Sequence, residues 1–325
     1  MERNPELIVP SPRIAILIPC YNEAQTIFAV VSDFAAVFPN ATIYVYDNNS
    51  TDDTRSRAAA AGATVRSESL QGKGNVIRRM FADIEADVYL LVDGDGTYDA
   101  SSANRMVECL LNNSLDMVNA ARVPATQSAF RPGHLFGNKL LTSMVAVVFG
   151  TRIRDMLSGY RVFSRRFVKS FPALSSGFEI EAELTVHALD LRLPVAELQT
   201  PYRPRVAGST SKLHTFRDGF RILHIILLLI KEERPLQFFS VIAAILSIIG
   251  LSLGWPVVTH YLQTGLVPRF PTAILATGLI VLASISFVAG LILDSVTLGR
   301  REIKRLHYLG LKGPDFASPP DSLPR

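Results

Sequence analysis

The chain has 325 residues, of which 48% are apolar and 19% charged, and its net charge is +4. That length allows a globular domain with a further segment beside it, and the composition excludes both a disordered chain and a protein that is water-soluble throughout. Two cysteines, Cys20 and Cys109, exclude a disulfide scaffold, and neither lies in a zinc-binding spacing, so both are expected reduced. Met1 to Arg13 hold no apolar run long enough for a signal peptide, so the polar part of the chain is expected on the cytosolic side. The mild basic excess suits phosphate-rich ligands or an anionic membrane surface and carries no sign of a nucleic-acid partner.

In chain order, RIAILI at 13–18 reads as a buried strand, and Ile27, Val30, Val31, Phe34 and Phe38 repeat at helical spacing. ATIYVY at 41–46 is a second strand, followed by a helix with Asp52 and Asp53 in its first turn and an end at Gly62. TVRSE, a helix over 73–86 and the strand VYLLV at 88–92 complete a βαβαβαβ alternation. That alternation predicts an α/β fold with a mainly parallel sheet, helices on both faces, and a ligand outside the carboxyl ends of the strands. Farther on, Phe216, Phe220, Leu223, Ile226 and Leu227 share one helix face, which fits either an interfacial helix or one packed on the soluble domain. The runs 238–258 and 272–293 are each long and apolar enough to span a bilayer. Lys231 and Arg234 precede this pair, Arg300, Arg301, Lys304 and Arg305 follow it, and only Arg269 lies between, so both ends are expected in the cytoplasm. The expected divisions are 1–213 for the soluble domain, 214–234 for the interfacial segment, 235–298 for a two-helix transmembrane hairpin and 299–325 for a basic tail.

Three polar segments fall at strand ends: PCYNE (Pro19 to Glu23), DNNSTDDT (Asp47 to Thr54) and DGDGTYD (Asp93 to Asp99). The first lacks the GxGxxG of dinucleotide enzymes, and QGKGN lacks P-loop spacing. Carboxylates alternating with glycines would repel a bare diphosphate, whereas Asp93 and Asp95 can hold a hard divalent cation that carries one. Pro19 and Tyr21 could equally shape a turn, and Asp47 could cap the helix that follows.

The ordered set of PxYNE, an Asp after the second strand, GKG and a DxD after the fourth resembles glycosyltransferase family 2, the inverting nucleotide-sugar enzymes of the GT-A fold, over residues 13–99. The resemblance implies that Pro19, Tyr21, Glu23 and Asp47 serve the nucleoside, Lys73 the nucleotide side, and Asp93 and Asp95 a Mg2+ or Mn2+ ion and the donor diphosphate. DMLSGYRVFSRR, GFEIEAEL and YRPRVAGSTSKL, followed by the hairpin, resemble the polyisoprenyl-phosphate branch and extend the likeness to about residue 298. They imply transfer of a sugar to a membrane polyprenyl phosphate, with UDP-glucose the first donor considered and GDP-mannose the next. Asp95, Arg161, Glu179 and Glu181 form the expected catalytic set, and Arg203, Arg205, Ser211 and Lys212 the expected acceptor-phosphate site. Which of Glu179, Glu181 and Glu183 faces the sugar stays open.

A phosphate acceptor is anionic at neutral pH and needs no general base, which agrees with six histidines that fall in no motif. The implied setting is the bacterial inner membrane with a cytoplasmic catalytic domain, alone or as a homo-oligomer. Two rival readings are a processive polysaccharide synthase and a non-catalytic nucleotide-binding scaffold. The first would need a QxxRW motif, but the one tryptophan, Trp255, lies in the first span after Gly254.

Overall fold

A computed structural model describes residues 11–124, 153–177, 179–204, 231–232 and 234–313. The chain divides into two units, Met1–Ile222 with Lys304–Arg325, and Leu223–Ile303. In the first, β1 (Ile14–Cys20), β2 (Thr42–Asp47), β3 (Thr64–Ser67), β4 (Val88–Leu91), β5 (Met117–Pro124), β6 (Arg161–Ser164) and β7 (Val195–Tyr202) form one sheet in the order β3-β2-β1-β4-β6-β5-β7. Only β6 runs against its neighbours, β4 and β5. Side chains alternate between the two faces, so Ile16 and Ile18 join one core while Ala15 and Leu17 join the other.

The first core is covered by α1 (Ile27–Val37), α2 (Thr54–Ala60) and α4 (Ser102–Asn112), and the second by α3 (Lys73–Asp83), α5 (Arg165–Ser170) and α6 (Ile180–Asp190). Helix α1 buries Ile27, Val30, Val31 and Phe34, the i, i+3, i+4, i+7 stripe that the sequence predicts. Two expectations shift. Asp52 and Asp53 precede α2 instead of lying in its first turn, because Asp52 accepts from the Ala24 and Thr54 N–H groups. Helix α3 ends at Asp83, since Ile84 is extended and the chain turns into β4.

From β1 the chain moves outward through β2 to β3 and then returns to β4 on the other side of β1. This reversal opens a crevice between the carboxyl ends of β1 and β4, where ligands of open α/β sheets bind.

The second unit contains α7 (Pro235–Thr264) and most of α8 (Phe270–Gly310), both long and apolar enough to cross a membrane. Gly265, at φ 70°, ends α7 in the left-handed cap. The two helices meet through small residues: a Cβ on Gly250 would come 3.3 Å from Ala276 O, and one on Gly290 would come 2.9 Å from Phe239 Cβ.

Where charge alone suggests a tail from 299, the chain continues as helix to Gly310 and its end belongs to the globular unit. Tyr308 OH donates to Oδ2 of the fully buried Asp116 at 2.6 Å, and Ser164 Oγ donates to Oδ1 at 2.6 Å. Arg166 lies 4.9 Å over the Tyr308 ring, and His307 Nε2 is 3.1 Å from Lys169 O. Tyr308→Phe should cost about 1–3 kcal/mol by leaving a buried carboxylate oxygen short of its donor, seen as a fall of several degrees in the thermal midpoint of the solubilised protein.

His187 on α6 is buried edge-on against Phe167 and Phe171, with Nε2 3.2 Å from Ser170 Oγ. Burial, helped by the charge of Lys304, pushes its pKa from 6.5 down to about 3. The unfolded chain therefore takes up a proton below pH 6.5 that the folded chain refuses until about pH 3, so stability must fall as pH drops through that window. His187→Asn should flatten that part of the slope in thermal melts at stepped pH.

Candidate active site

The three polar strand ends interlock. Asp47 closes β2 beside Cys20 of β1, and the Asn48 N–H donates to Cys20 O at 2.9 Å. Asn48 Nδ2 donates to Glu68 O and Leu70 O, while its Oδ1 accepts from the Gly72 N–H at 2.7 Å, so this one side chain ties the β3–α3 loop to the β2 end. Asn22 and Asn49 sit at φ 53° and 63°, a left-handed turn that asparagine tolerates. Asn22 Oδ1 then accepts from the Thr51 N–H at 2.8 Å, joining the loops after β1 and β2.

Asp47 is 2% exposed, with Oδ2 accepting from the Ser50 N–H and Oδ1 without a hydrogen-bond partner among the described residues. It does not cap α2, whose N-cap is Asp53. A buried acceptor left open is costly unless a ligand supplies its donor. Pro19 lies near the end of β1, and Tyr21 and Glu23 are half-buried beyond it.

The acidic loop packs against this frame through its glycines. A Cβ on Gly94 would come 2.7 Å from Cys20 Sγ, and Thr26 Oγ1 donates to Gly94 O at 2.6 Å. Gly96 has φ 72°. Asp95 is buried, and its Oδ1 accepts from the Thr97 N–H at 3.1 Å and the Thr97 hydroxyl at 2.6 Å. Thr97 thus fixes the Asp95 carboxylate.

Lys73, the first residue of α3, donates from Nζ to Asp93 Oδ1 and to Glu181 Oε1, each at 2.5 Å. Burial works against its charge, but the two carboxylates more than offset that and hold its pKa above the ordinary lysine value. Burial pushes the Glu181 carboxyl upward against the pull of Lys73, and Glu181 Oε2 has no hydrogen-bond partner among the described residues. Of the three glutamates, Glu181 is therefore the one that meets Lys73 and, through it, Asp93. Glu179 stands at the N-cap of α6 with no side-chain cap bond, and Glu183 turns to the loop before the helix.

Arg161, expected in the catalytic set, is committed to the protein interior. It is fully buried, and its nitrogens donate to Ser158 O, Met156 O, Glu181 O, Thr185 Oγ1 and Met117 Sδ. Five donors meet five protein acceptors, so the guanidinium braces the 156–158 turn and α6. Desolvation pushes its pKa down to about 10. The same turn presents Gly159 to Asp93, a contact the motif spacing concealed: the Asp93 carboxylate fills the place of a Gly159 Cβ, with Cγ 2.7 Å away.

Arg203 follows β7. Its N–H donates to Thr97 O at 2.9 Å and its guanidinium to Asp99 Oδ1 at 3.0 Å, so the start of the basic segment borders the acidic loop. The other expected acceptor residues, Arg205, Ser211 and Lys212, lie outside the described residues, as does the interfacial segment up to residue 230. Beyond the sequence reading, the structure adds Asn48, Tyr98, Asp99 and Gly159. Tyr98 OH accepts from the Gly159 N–H at 2.9 Å.

The profile described as glycosyl transferase family 2 matches residues 15–171. Glycosyltransferase AglJ of Haloferax volcanii is 31% identical over 305 residues, covering 93% of this chain and 100% of the relative. This chain belongs to glycosyl transferase family 2. A dolichyl-phosphate hexose transferase of Haloferax volcanii is 26% identical to this glycosyltransferase over 221 residues, 68% of this chain and 95% of the relative. Glucosyl-3-phosphoglycerate synthase from Mycobacterium tuberculosis, solved with Mn2+, UDP-glucose and phosphoglyceric acid, shares its fold with a TM-score of 0.56 at 22% identity, over 68% of this chain and 79% of that one. The GT-A architecture expected from the sequence is the architecture found.

Gly159 needs no left-handed backbone, so alanine there is refused by space alone. Gly159→Ala should displace the Asp93 carboxylate and reduce sugar transfer about 100-fold, with a much smaller change in thermal midpoint. Wild-type transfer rates in this variant would show that Asp93 has no part in the reaction.

Proposed function

We propose that this glycosyltransferase moves a hexose from a nucleoside-diphosphate sugar to a polyprenyl phosphate in the membrane, with inversion at the anomeric carbon. The observation that carries the donor half is the placement of Asp47, whose buried Oδ1 lacks a hydrogen-bond partner among the described residues, at the end of β2, with Asp93 and Asp95 following β4 on the other side of β1. Asp47 and the Pro19–Glu23 loop would hold the nucleoside.

The acidic loop fits a divalent cation. Asp93 and Asp95 are hard oxygen donors two residues apart with glycine between them, and Lys73 and Thr97 fix one oxygen of each. No group of three or more His, Cys, Asp or Glu suited to a metal exists among the described residues, so water and diphosphate oxygens would complete the shell. Mg2+ or Mn2+ bound there would neutralise charge on the leaving diphosphate. Glu181, behind Lys73, keeps the ammonium directed at Asp93.

The acceptor half draws support from the two helices able to span a bilayer, from the dolichyl-phosphate hexose transferase relative, and from Arg203 at the border of the acidic loop. With both helix ends cytoplasmic by charge, the lipid phosphate would reach a catalytic unit on the cytoplasmic face. Being already anionic, it would attack without a base. UDP-glucose is the first donor to offer and GDP-mannose the second. A soluble phosphorylated acceptor is the competing reading, since the fold also serves a phosphoglycerate enzyme.

Membranes bearing the protein, given labelled UDP-glucose or GDP-mannose, should transfer label to polyprenyl phosphate and neither to the free polyprenol nor to 3-phosphoglycerate. EDTA should abolish transfer, and Mg2+ or Mn2+ should restore it. Asp95→Asn keeps the shape but removes a carboxylate from a hard-cation site, so it should recover little activity even at high metal. Label on 3-phosphoglycerate alone would overturn the lipid acceptor, and full activity in EDTA would overturn the metal.

A further inference from the structure

Glu183 belongs to none of the roles above, and its carboxylate is committed to backbone. Oε1 accepts from the Leu174 N–H and Oε2 from the Ser175 N–H, both at 2.8 Å. These amides lie in the loop between α5 and α6, so the helix reaches back to hold the segment that leads into it.

That loop in turn holds the start of α3. Ser176 O accepts from the Gly74 N–H at 3.1 Å and the Asn75 N–H at 3.4 Å. The first amides of a helix have no partners within it, and here Gly72 at the N-cap supplies no side-chain bond, so the loop carbonyl takes the place of a cap. The approach is close enough that a Cβ on Gly72 would strike Ser176 O and one on Gly74 would strike Ser175 O. Lys73 stands between these two glycines, with Nζ bridging Asp93 and Glu181. A continuous set of contacts thus runs from the Glu183 carboxylate through residues 174–176 to Gly74, and from there to the ammonium that fixes Asp93.

We propose that Glu183 is a positioning residue for the donor site: it fixes the 174–176 loop, and through that loop the Lys73 ammonium, so its loss weakens nucleotide and metal binding although it touches neither. Glu181 and Glu183, two residues apart on α6, serve the same lysine, one by contact and the other through the backbone Lys73 hangs from. This inference rests on the donor reading proposed above and deepens it.

The test uses the full chain in detergent. Binding of UDP and of GDP in the presence of Mn2+ is measured by calorimetry, beside donor KM, acceptor KM and thermal midpoint. Glu183→Ala should raise the nucleotide Kd and the donor KM about ten-fold, the loss of a charge-assisted contact, and leave the acceptor KM unchanged. Glu183→Gln, which keeps the shape and one acceptor oxygen, should fall between wild type and Glu183→Ala. It also carries the test if the alanine variant does not fold. Gly74→Ala, which attacks the same contact from the other side, should reproduce the Kd effect, and adding Glu183→Ala to Lys73→Ala should weaken binding no further than Lys73→Ala alone. A Glu183 variant with a lower thermal midpoint but wild-type Kd and donor KM would overturn the inference and leave Glu183 a brace for folding. Wild type that binds neither nucleotide would instead overturn the donor reading, and this inference with it.

Discussion

Lys73 carries its ammonium into a place where a tenth of its side chain stays exposed, and Asp93 and Glu181 each come within 2.5 Å of it. Removing an ion from water costs several kcal/mol, and removing one partner of a buried pair costs about 3–5 kcal/mol. The pairing is therefore a condition on the fold as much as a contact within it. Asp93 arrives with β4, Glu181 with α6 and Lys73 with α3, and the charge is tolerated only when all three elements are in register. The glycines around them follow from the same demand: Gly72 and Gly74 admit the 174–176 backbone, and Gly159 admits the Asp93 carboxylate.

Arg161 shows how the same chemistry serves two ends. Read in the sequence, an arginine after SGY beside an acidic motif points to phosphate. In the structure it lies on a strand buried on both faces, Phe163 joining one core and Val162 the other. Its donors go to carbonyls, a hydroxyl and a thioether, and it accepts burial in exchange for fixing Gly159 against Asp93 and α6 against Lys73. Periodicity cannot separate these outcomes, because a four-residue strand buried throughout has no polar face to reveal. The glutamates of α6 were opaque for a related reason: in one turn of helix, Glu181 meets Lys73 while Glu183 turns back to the loop before the helix.

The first four strands and three helices were legible because each is a short apolar run or a clear 3.6-residue stripe closed by polar loops. Strands β5 and β7, MVNAARVP and VAELQTPY, mix small, polar and charged residues, and their pairing is parallel to each other across a gap of more than 70 residues. No local pattern announces such a pairing. The two long helices were legible as apolar runs, but not the end of the second. Arg300, Arg301, Lys304 and Arg305 read as a basic flank, while the buried Asp116 that receives Tyr308 stands just before β5, far away in sequence. Asp47, Asp93 and Asp95 were legible at the strand ends because glycine, asparagine and carboxylate together suit neither a core nor a bare phosphate loop.

Charge balance joins these observations. Asp93 and Glu181 flank one ammonium and Asp95 follows in the same acidic loop, so carboxylates outnumber the cation. A diphosphate alone would be repelled there, whereas the carboxylates of Asp93 and Asp95 suit a hard cation. Under the proposed reading, a donor whose diphosphate carries a divalent ion would avoid that repulsion, its ion facing the carboxylates. The crevice would therefore favour a metal-bound nucleotide over a bare one. Under the same reading Lys73, held in place by Asp93 and Glu181, would be a preorganised positive charge near the departing diphosphate.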